Sequence, residues 1–175
     1  GFGNGSFYRR NYPEKGSDIE ASLKISFDEA AFGGERIVTL RDEAGHTQSL
    51  KIRIPAGIDT GKAIRLRGKG GAGRNGGENG DLLLRVTVLG KPGFTRKGMD
   101  IYTTVQVPFS TASCGGEILV KTISGDVLCK IREGTKNGTK IRLRGKGIVS
   151  MKNPSVRGDQ YVTVQVQMPQ HSSIN

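Results

Sequence analysis

From Asp18 to Phe27 the chain alternates, with an apolar residue at every odd position: Ile19, Ala21, Leu23, Ile25 and Phe27. A period of two predicts a strand with one face on a core and the other in water. The alternation gives way at Ser26-Phe27-Asp28-Glu29. A Ser followed three residues later by Glu has the form of a capping box, which predicts a turn or two of helix through Ala30, Ala31 and Phe32. Gly33-Gly34 stops that helix, because glycine tolerates the left-handed position after a helix end. Two further strands are predicted over Glu35 to Leu40 and Gln48 to Ile54, joined by a turn near Asp42 to His46. Pro55-Ala56-Gly57 breaks the second of them. After a turn at Ile58 to Gly61 comes a short strand, Ala63 to Arg67. Gly68 to Gly80 carries too many glycines for regular structure and reads as a long exposed loop. Asp81 to Val88, apolar almost throughout, reads as a central, buried strand.

The same order then recurs. Gly61 to Gly70 reads GKAIRLRGKG and Gly138 to Gly147 reads GTKIRLRGKG, at an offset of 77. Upstream, at an offset of 82, Ile19, Ala21, Leu23, Ile25 and Phe27 align with Ile101, Thr103, Val105, Val107 and Phe109. Gly33-Gly34-Glu35 aligns with Gly115-Gly116-Glu117, and Leu50, Ile52 and Ile54 align with Val127, Cys129 and Ile131. Gly80-Asp81 and the strand after it fall on Gly158-Asp159 and Gln160 to Val166. Two copies make a tandem duplication, since a solenoid stacks at least about three repeats. The fold class is therefore mostly β: two tandem, duplicated small β-sandwich subdomains, each with one short helix. The strands are expected to pair antiparallel. The subdomains are placed at 18–92 and 93–169, with a flexible segment at 1–17 and a short polar tail at 170–175.

Composition sharpens this picture. Hydrophobic residues make up 34% and aromatics 6%, with no Trp, so each core is thin and built from Ile, Leu and Val. A net charge of +11 raises the prospect of an acidic partner. No stretch resembles a signal peptide or a membrane span. The two cysteines, 15 residues apart, form neither a disulfide framework nor a zinc site. Cys114 aligns with Phe32 and Cys129 with Ile52, so both read as small buried hydrophobes. His46 and His171 have no partners at metal-ligand spacing and read as solvent-facing.

Three motifs invite chemistry. The glycine-rich loop has phosphate-loop ingredients, but Lys69 is followed by Gly70 and no helix follows, so a nucleotide site is rejected. The phrase Arg65-Leu66-Arg67, repeated as Arg142-Leu143-Arg144, puts its charges on one strand face. It carries no aromatic for base stacking, and nucleic acid is set aside. No Ser/His/Asp or Cys/His arrangement is present, so no catalytic residue is assigned. Leu23, Val38, Leu40 and Leu84 stand on three strands of the first copy. They serve either as plain core or as an apolar groove for an extended peptide.

Taken together, the motifs SFDEAAFGGE (Ser26 to Glu35), IPAGIDTG (Ile54 to Gly61), IRLRGKG (Ile64 to Gly70), GDLLLRVTV (Gly80 to Val88), PGFTRKG (Pro92 to Gly98) and ASCGGE (Ala112 to Glu117), with Gly145-Lys146-Gly147 and Gly158-Asp159, resemble the C-terminal substrate-binding region of DnaJ-type co-chaperones. The opening GFGNGSF looks like the end of that family's glycine/phenylalanine-rich linker. The resemblance implies a groove on the first subdomain lined by Ala21, Leu23, Val38, Leu40 and Leu84, with Ile25 nearby. That groove would hold apolar segments of non-native client proteins, for delivery to a DnaK-type ATPase in the cytoplasm. It implies no cofactor, no metal, no small-molecule substrate, no membrane and no enzymatic activity. Arg36 falls near the groove rim, where some relatives bind the acidic tail of the ATPase. There are departures too. No His-Pro-Asp tripeptide of a J-domain is present, so a fragment of a longer protein is expected. No paired Cys-x-x-Cys motifs lie between Leu40 and Gln48, which is similar to the zinc-free, CbpA-like class. The family's C-terminal dimerisation helix would follow Pro169, so dimerisation depends on residues past this point.

Overall fold

The structure, a computed structural model, describes residues 12–41 and 44–169. The N-terminal segment before Tyr12, turn residues Asp42 and Glu43, and the tail 170–175 with His171 lie outside the described residues. Among the described residues eleven strands and two short helices follow in the order β1 (Ile19–Ile25), α1 (Phe27–Phe32), β2 (Gly34–Arg41), β3 (Thr47–Ile54), β4 (Ala63–Leu66), β5 (Leu82–Val88), β6 (Thr95–Lys97), β7 (Asp100–Pro108), α2 (Phe109–Cys114), β8 (Gly116–Thr122), β9 (Gly125–Ile131), β10 (Lys140–Leu143) and β11 (Gln160–Gln167). The protein is mostly β, with the duplication written into its topology. The first copy builds a sheet of order β1-β5-β4 and a β2-β3 pair; the second builds β10-β11-β7-β6 and a β8-β9 pair.

The pairing departs from the antiparallel expectation at one place in each copy. β1 runs parallel to β5 (Ala21 beside Leu84, Leu23 beside Val86), and β7 runs parallel to β11 (Ile101 beside Gln160). The hairpins β2-β3 and β8-β9 are antiparallel, because a short turn leaves no alternative. The first and last strands of a copy are joined by a long crossover, which releases that restriction.

The described residues divide into two compact units: those up to Ile25 with Asp59–Leu89, and those of Ser26–Ile58 with the ones from Gly90 onward. The first unit holds β1, β4 and β5, with Ile25, Ile64, Leu82, Leu84 and Val86 buried. The second unit takes α1, β2 and β3 from the first copy. The Ser26 hydroxyl accepts from Glu29 N–H while the Glu29 carboxylate accepts from Ser26 N–H, closing the expected capping box. Phe27 and Ala31 of α1 are buried in one cluster with Ile101 and Ile148, and Phe94 packs against it. Lys91 and the PGFTRKG stretch that follows it are the fastener. Lys91 reaches Asp28 at 2.9 Å, and the Arg96 guanidinium donates to the carbonyls of Gly57 and Ile58 at 2.9 and 2.6 Å. Gly57 has φ +90°, and a Cβ there would lie 2.3 Å from the Val149 carbonyl oxygen, so only glycine fits.

Candidate functional site

The repeated basic phrase has an internal use in both copies. Arg65 Nη1 lies 2.6 Å from Asp81 Oδ2, and Gly68 N–H donates to Asp81 Oδ1 at 3.0 Å. In the second copy Arg142 Nη2 lies 2.7 Å from Asp159 Oδ2, and Gly145 N–H donates to Asp159 Oδ1 at 2.9 Å. A second aspartate completes each corner: Asp81 N–H donates to Asp18, and Asp159 N–H donates to Asp100. The Gly68 and Gly145 amides above all, and then the two guanidiniums, hold the Asp81 and Asp159 carboxyls below the ordinary aspartate value. Asp159 in turn pushes the Arg142 guanidinium up. The glycines serve close approach. A Cβ on Gly80 would lie 2.0 Å from Ser17 O, and one on Gly158 would lie 2.1 Å from Met99 O. Gly68 to Gly80 is thus a tied loop. Gly70 N–H donates to Gly80 O and Gly71 N–H to Ser17 O, and Glu14 and Arg74 exchange backbone hydrogen bonds. Residues 14–17, expected within the flexible segment, are held by that loop.

The apolar candidates fall into two strips. In the first unit Ala21, Leu23 and Ile25 follow one another on one face of β1, the edge of its sheet, and Leu84 stands beside Ala21 on β5. Ala21 is exposed and Leu23 half-buried, whereas Ile25 and Leu84 are only 1% and 3% exposed. In the second unit Arg36, Val38 and Leu40 share one face of β2, all half-buried. Across the pair they meet Ile52, Leu50 and Gln48 of β3. Arg36 Nη1 lies 3.8 Å from Glu29 Oε1.

Some exposed apolar residues escaped the sequence reading. Ile37, Leu119 and Leu128 are 67%, 62% and 61% exposed, and Leu119 faces Leu128 across the β8-β9 pair. Each interrupts the alternation of its own strand, and that break in phase was the available signal. Cys129 is buried, and burial pushes its thiol up. Cys114 is exposed, contrary to expectation. Its twin Phe32 is exposed too, because both end their short helices. His46 is exposed. The stacked pair Tyr102–Tyr161 (centroids 5.3 Å apart) also went unseen, its members lying far apart in sequence. Lys97 Nζ sits 5.1 Å from the Tyr102 centroid, so the rings are engaged by their own sheet. Among the described residues no group of three or more His, Cys, Asp or Glu is placed to hold a metal, and no helix is long and apolar enough to cross a membrane.

The family model described as "DnaJ C terminal domain" matches residues 19–169. A protein named "Chaperone protein DnaJ" from Lachnospira eligens is 45% identical over 122 residues, covering 70% of this chain and 32% of the relative. Proteins of the same name from Clostridium novyi and Clostridium tetani are 33% and 34% identical, covering 96% and 92% of this chain and 63% and 61% of their own lengths. The chain therefore spans less than two thirds of the length of these relatives. The aligned span of 237 residues in the Clostridium novyi protein exceeds the 175 residues here, so that relative carries intervening residues with no counterpart in this chain.

Proposed function

The chain belongs to the DnaJ C terminal domain family, and from that membership we propose that it is the client-binding part of a DnaJ-type co-chaperone. In this reading it holds apolar segments of non-native proteins by reversible burial, without catalysis or cofactor. The full-length protein hands such clients to a DnaK-type ATPase in the cytoplasm. The supporting observation is the partial exposure of the two apolar strips: Ala21 and Leu23 on the edge strand β1, and Val38 and Leu40 on β2. An edge strand offers unpaired main-chain groups to an extended segment, and half-exposed apolar side chains beside it offer area to bury. At roughly 25 cal/mol per Å² of apolar area, a contact of two or three side chains is weak after association costs. Fast exchange suits holding and delivery. Ile25 and Leu84 continue the β1 strip as its buried members, and Arg36 beside Val38 is the proposed contact for an acidic tail.

The test is suppression of aggregation of a chemically denatured protein, at low and at high salt. Leu23→Asp and Val38→Asp are expected to abolish suppression with the fold intact by circular dichroism. Wild-type suppression is expected to persist at high salt, since apolar burial is not screened. Leu84→Asp is the wrong probe, because a carboxylate at a site 3% exposed unfolds the sheet instead. Normal suppression by both the Leu23 and Val38 variants overturns the reading, and suppression that vanishes with salt assigns binding to the basic surface.

A further inference from the structure

Between the edge strands β9 and β10 of the second unit lies a cleft of about 470 Å³, lined by Lys130, Ile131, Arg132, Thr135, Thr139, Lys140 and Ile141. That volume is within the range of ligand-binding clefts, roughly 300–1,000 Å³. Its floor is aliphatic, with Ile131 buried and Ile141 half-buried. Its rim is cationic. Among the described residues no carboxylate oxygen lies within 4.0 Å of the charged nitrogens of Lys130, Arg132 or Lys140. Glu117 stands opposite Lys130 across the β8-β9 pair, and Glu133 follows Arg132; neither closes an ion pair with the rim.

The duplication supplies an internal control. At the offset of 77 the first copy has Pro55 and Ala63 where the second has Arg132 and Lys140, and a basic Arg53 where the second has Lys130. Arg65 and Arg142 occur in both copies because both clamp an aspartate. Arg132 and Lys140 are basic in one copy alone, so the shared fold does not call for their charge. Main-chain geometry adds to this. Val164 N–H donates to Thr139 O, and antiparallel alternation then turns the main chain of Ile141 toward β11 and that of Lys140 toward the open edge.

We propose that this cleft docks an acidic peptide in extended form, its carboxylates on Lys130, Arg132 and Lys140 and one apolar side chain over Ile131 and Ile141. The occupant adds along the open edge of β10. The proposal is independent of the two client strips. Nucleic acid fits less well: no aromatic ring lines the cleft for stacking. The Thr135 and Thr139 hydroxyls already donate to Arg132 O and Lys136 O, which takes them from a phosphate.

The experiment is fluorescence anisotropy with a labelled peptide of sequence Asp-Glu-Glu-Leu-Glu-Asp in low-salt buffer. The wild type is expected to bind it, and Lys130→Glu/Lys140→Glu to weaken binding by at least about tenfold, as like charges now face each other. Lys69→Glu/Lys152→Glu makes the same change in net charge at exposed sites that do not line the cleft and is expected to change binding by less than about twofold. Replacing the peptide leucine by serine is expected to weaken binding by about threefold or more. Thermal melts of both double variants establish that each is folded. Three results each overturn the proposal: no binding by wild type, equal loss in both double variants, or no effect of removing the leucine. Tighter binding of a single-stranded oligonucleotide, or full competition by inorganic phosphate, also overturns it by assigning the cleft to another anion.

Discussion

Asp81 and Asp159 occupy the same corner of their sheets and are held in the same way, by an arginine three residues before a glycine and by that glycine's amide. Ile19 and Ile101, which the same repeat aligns, have diverged: Ile19 is 46% exposed and Ile101 is wholly buried. Ser26 caps its helix with a closed capping box, whereas Pro108 in the same place makes no side-chain cap. Leu82 aligns with Gln160, whose amide nitrogen donates to Thr103 Oγ1 and Lys121 O deep inside the second unit. The corner aspartates, each held by an arginine and a backbone amide, have stayed alike in both copies. The helix cap and the positions packed inside the sheets have changed, the latter because packing depends on what stands opposite.

This contrast can be broken most forcefully at the isoleucines. Ile101→Ala empties a site in the Phe27–Ala31–Ile148 cluster and is expected to cost about 2–5 kcal/mol in urea unfolding. Ile19→Ala is expected to stay within about 0.5 kcal/mol. Equal costs would mean that the two copies are not packed differently. Next comes the cap. Ser26→Ala is expected to cost about 1 kcal/mol, while Pro108→Ala leaves stability nearly unchanged, having no cap bond to lose. The smallest effect concerns acid. Both carboxyls ionise more readily folded than unfolded, so their stabilisation is complete above the unfolded aspartate value of about 3.9. It is lost as pH falls through the lower folded value. Asp81→Asn and Asp159→Asn are each expected to flatten the acid limb of the stability curve, and by similar amounts. A clear inequality would show that the two corners are not equivalent.

Much of this was legible in the sequence, for stated reasons. The alternation at Ile19 to Ile25, the cap at Ser26 and Glu29 and the glycine stop at Gly33 are local patterns, and local patterns report local structure. What needs two distant segments at once was not legible. The parallel join of β1 to β5 depends on a crossover that no hairpin signal marks. The basic cleft gathers β9, the turn around Thr135 and β10, which no single window contains. The exposure of Cys114 follows from its place at a helix end rather than from its apolar twin. For the apolar strips the sequence supplied the positions, and the structure grades them: Leu23, Val38 and Leu40 half-buried, Ile25 and Leu84 inside.

The membership of α1 in the second unit has a consequence in time. A ribosome makes Phe27 and Ala31 early, but their core partner Ile148 is polymerised about 120 residues later. At about 5–20 residues per second the interval is on the order of ten seconds. Until then that face lacks part of the native surface it closes upon, although Phe94 and Ile101 arrive sooner, and long-range pairings of this kind also slow folding once the chain is complete. The nascent chain is therefore expected to be cut by protease near α1 until residues well past Ile148 have left the exit tunnel. Stalled chains of increasing length would show protection of this helix arriving in one late step.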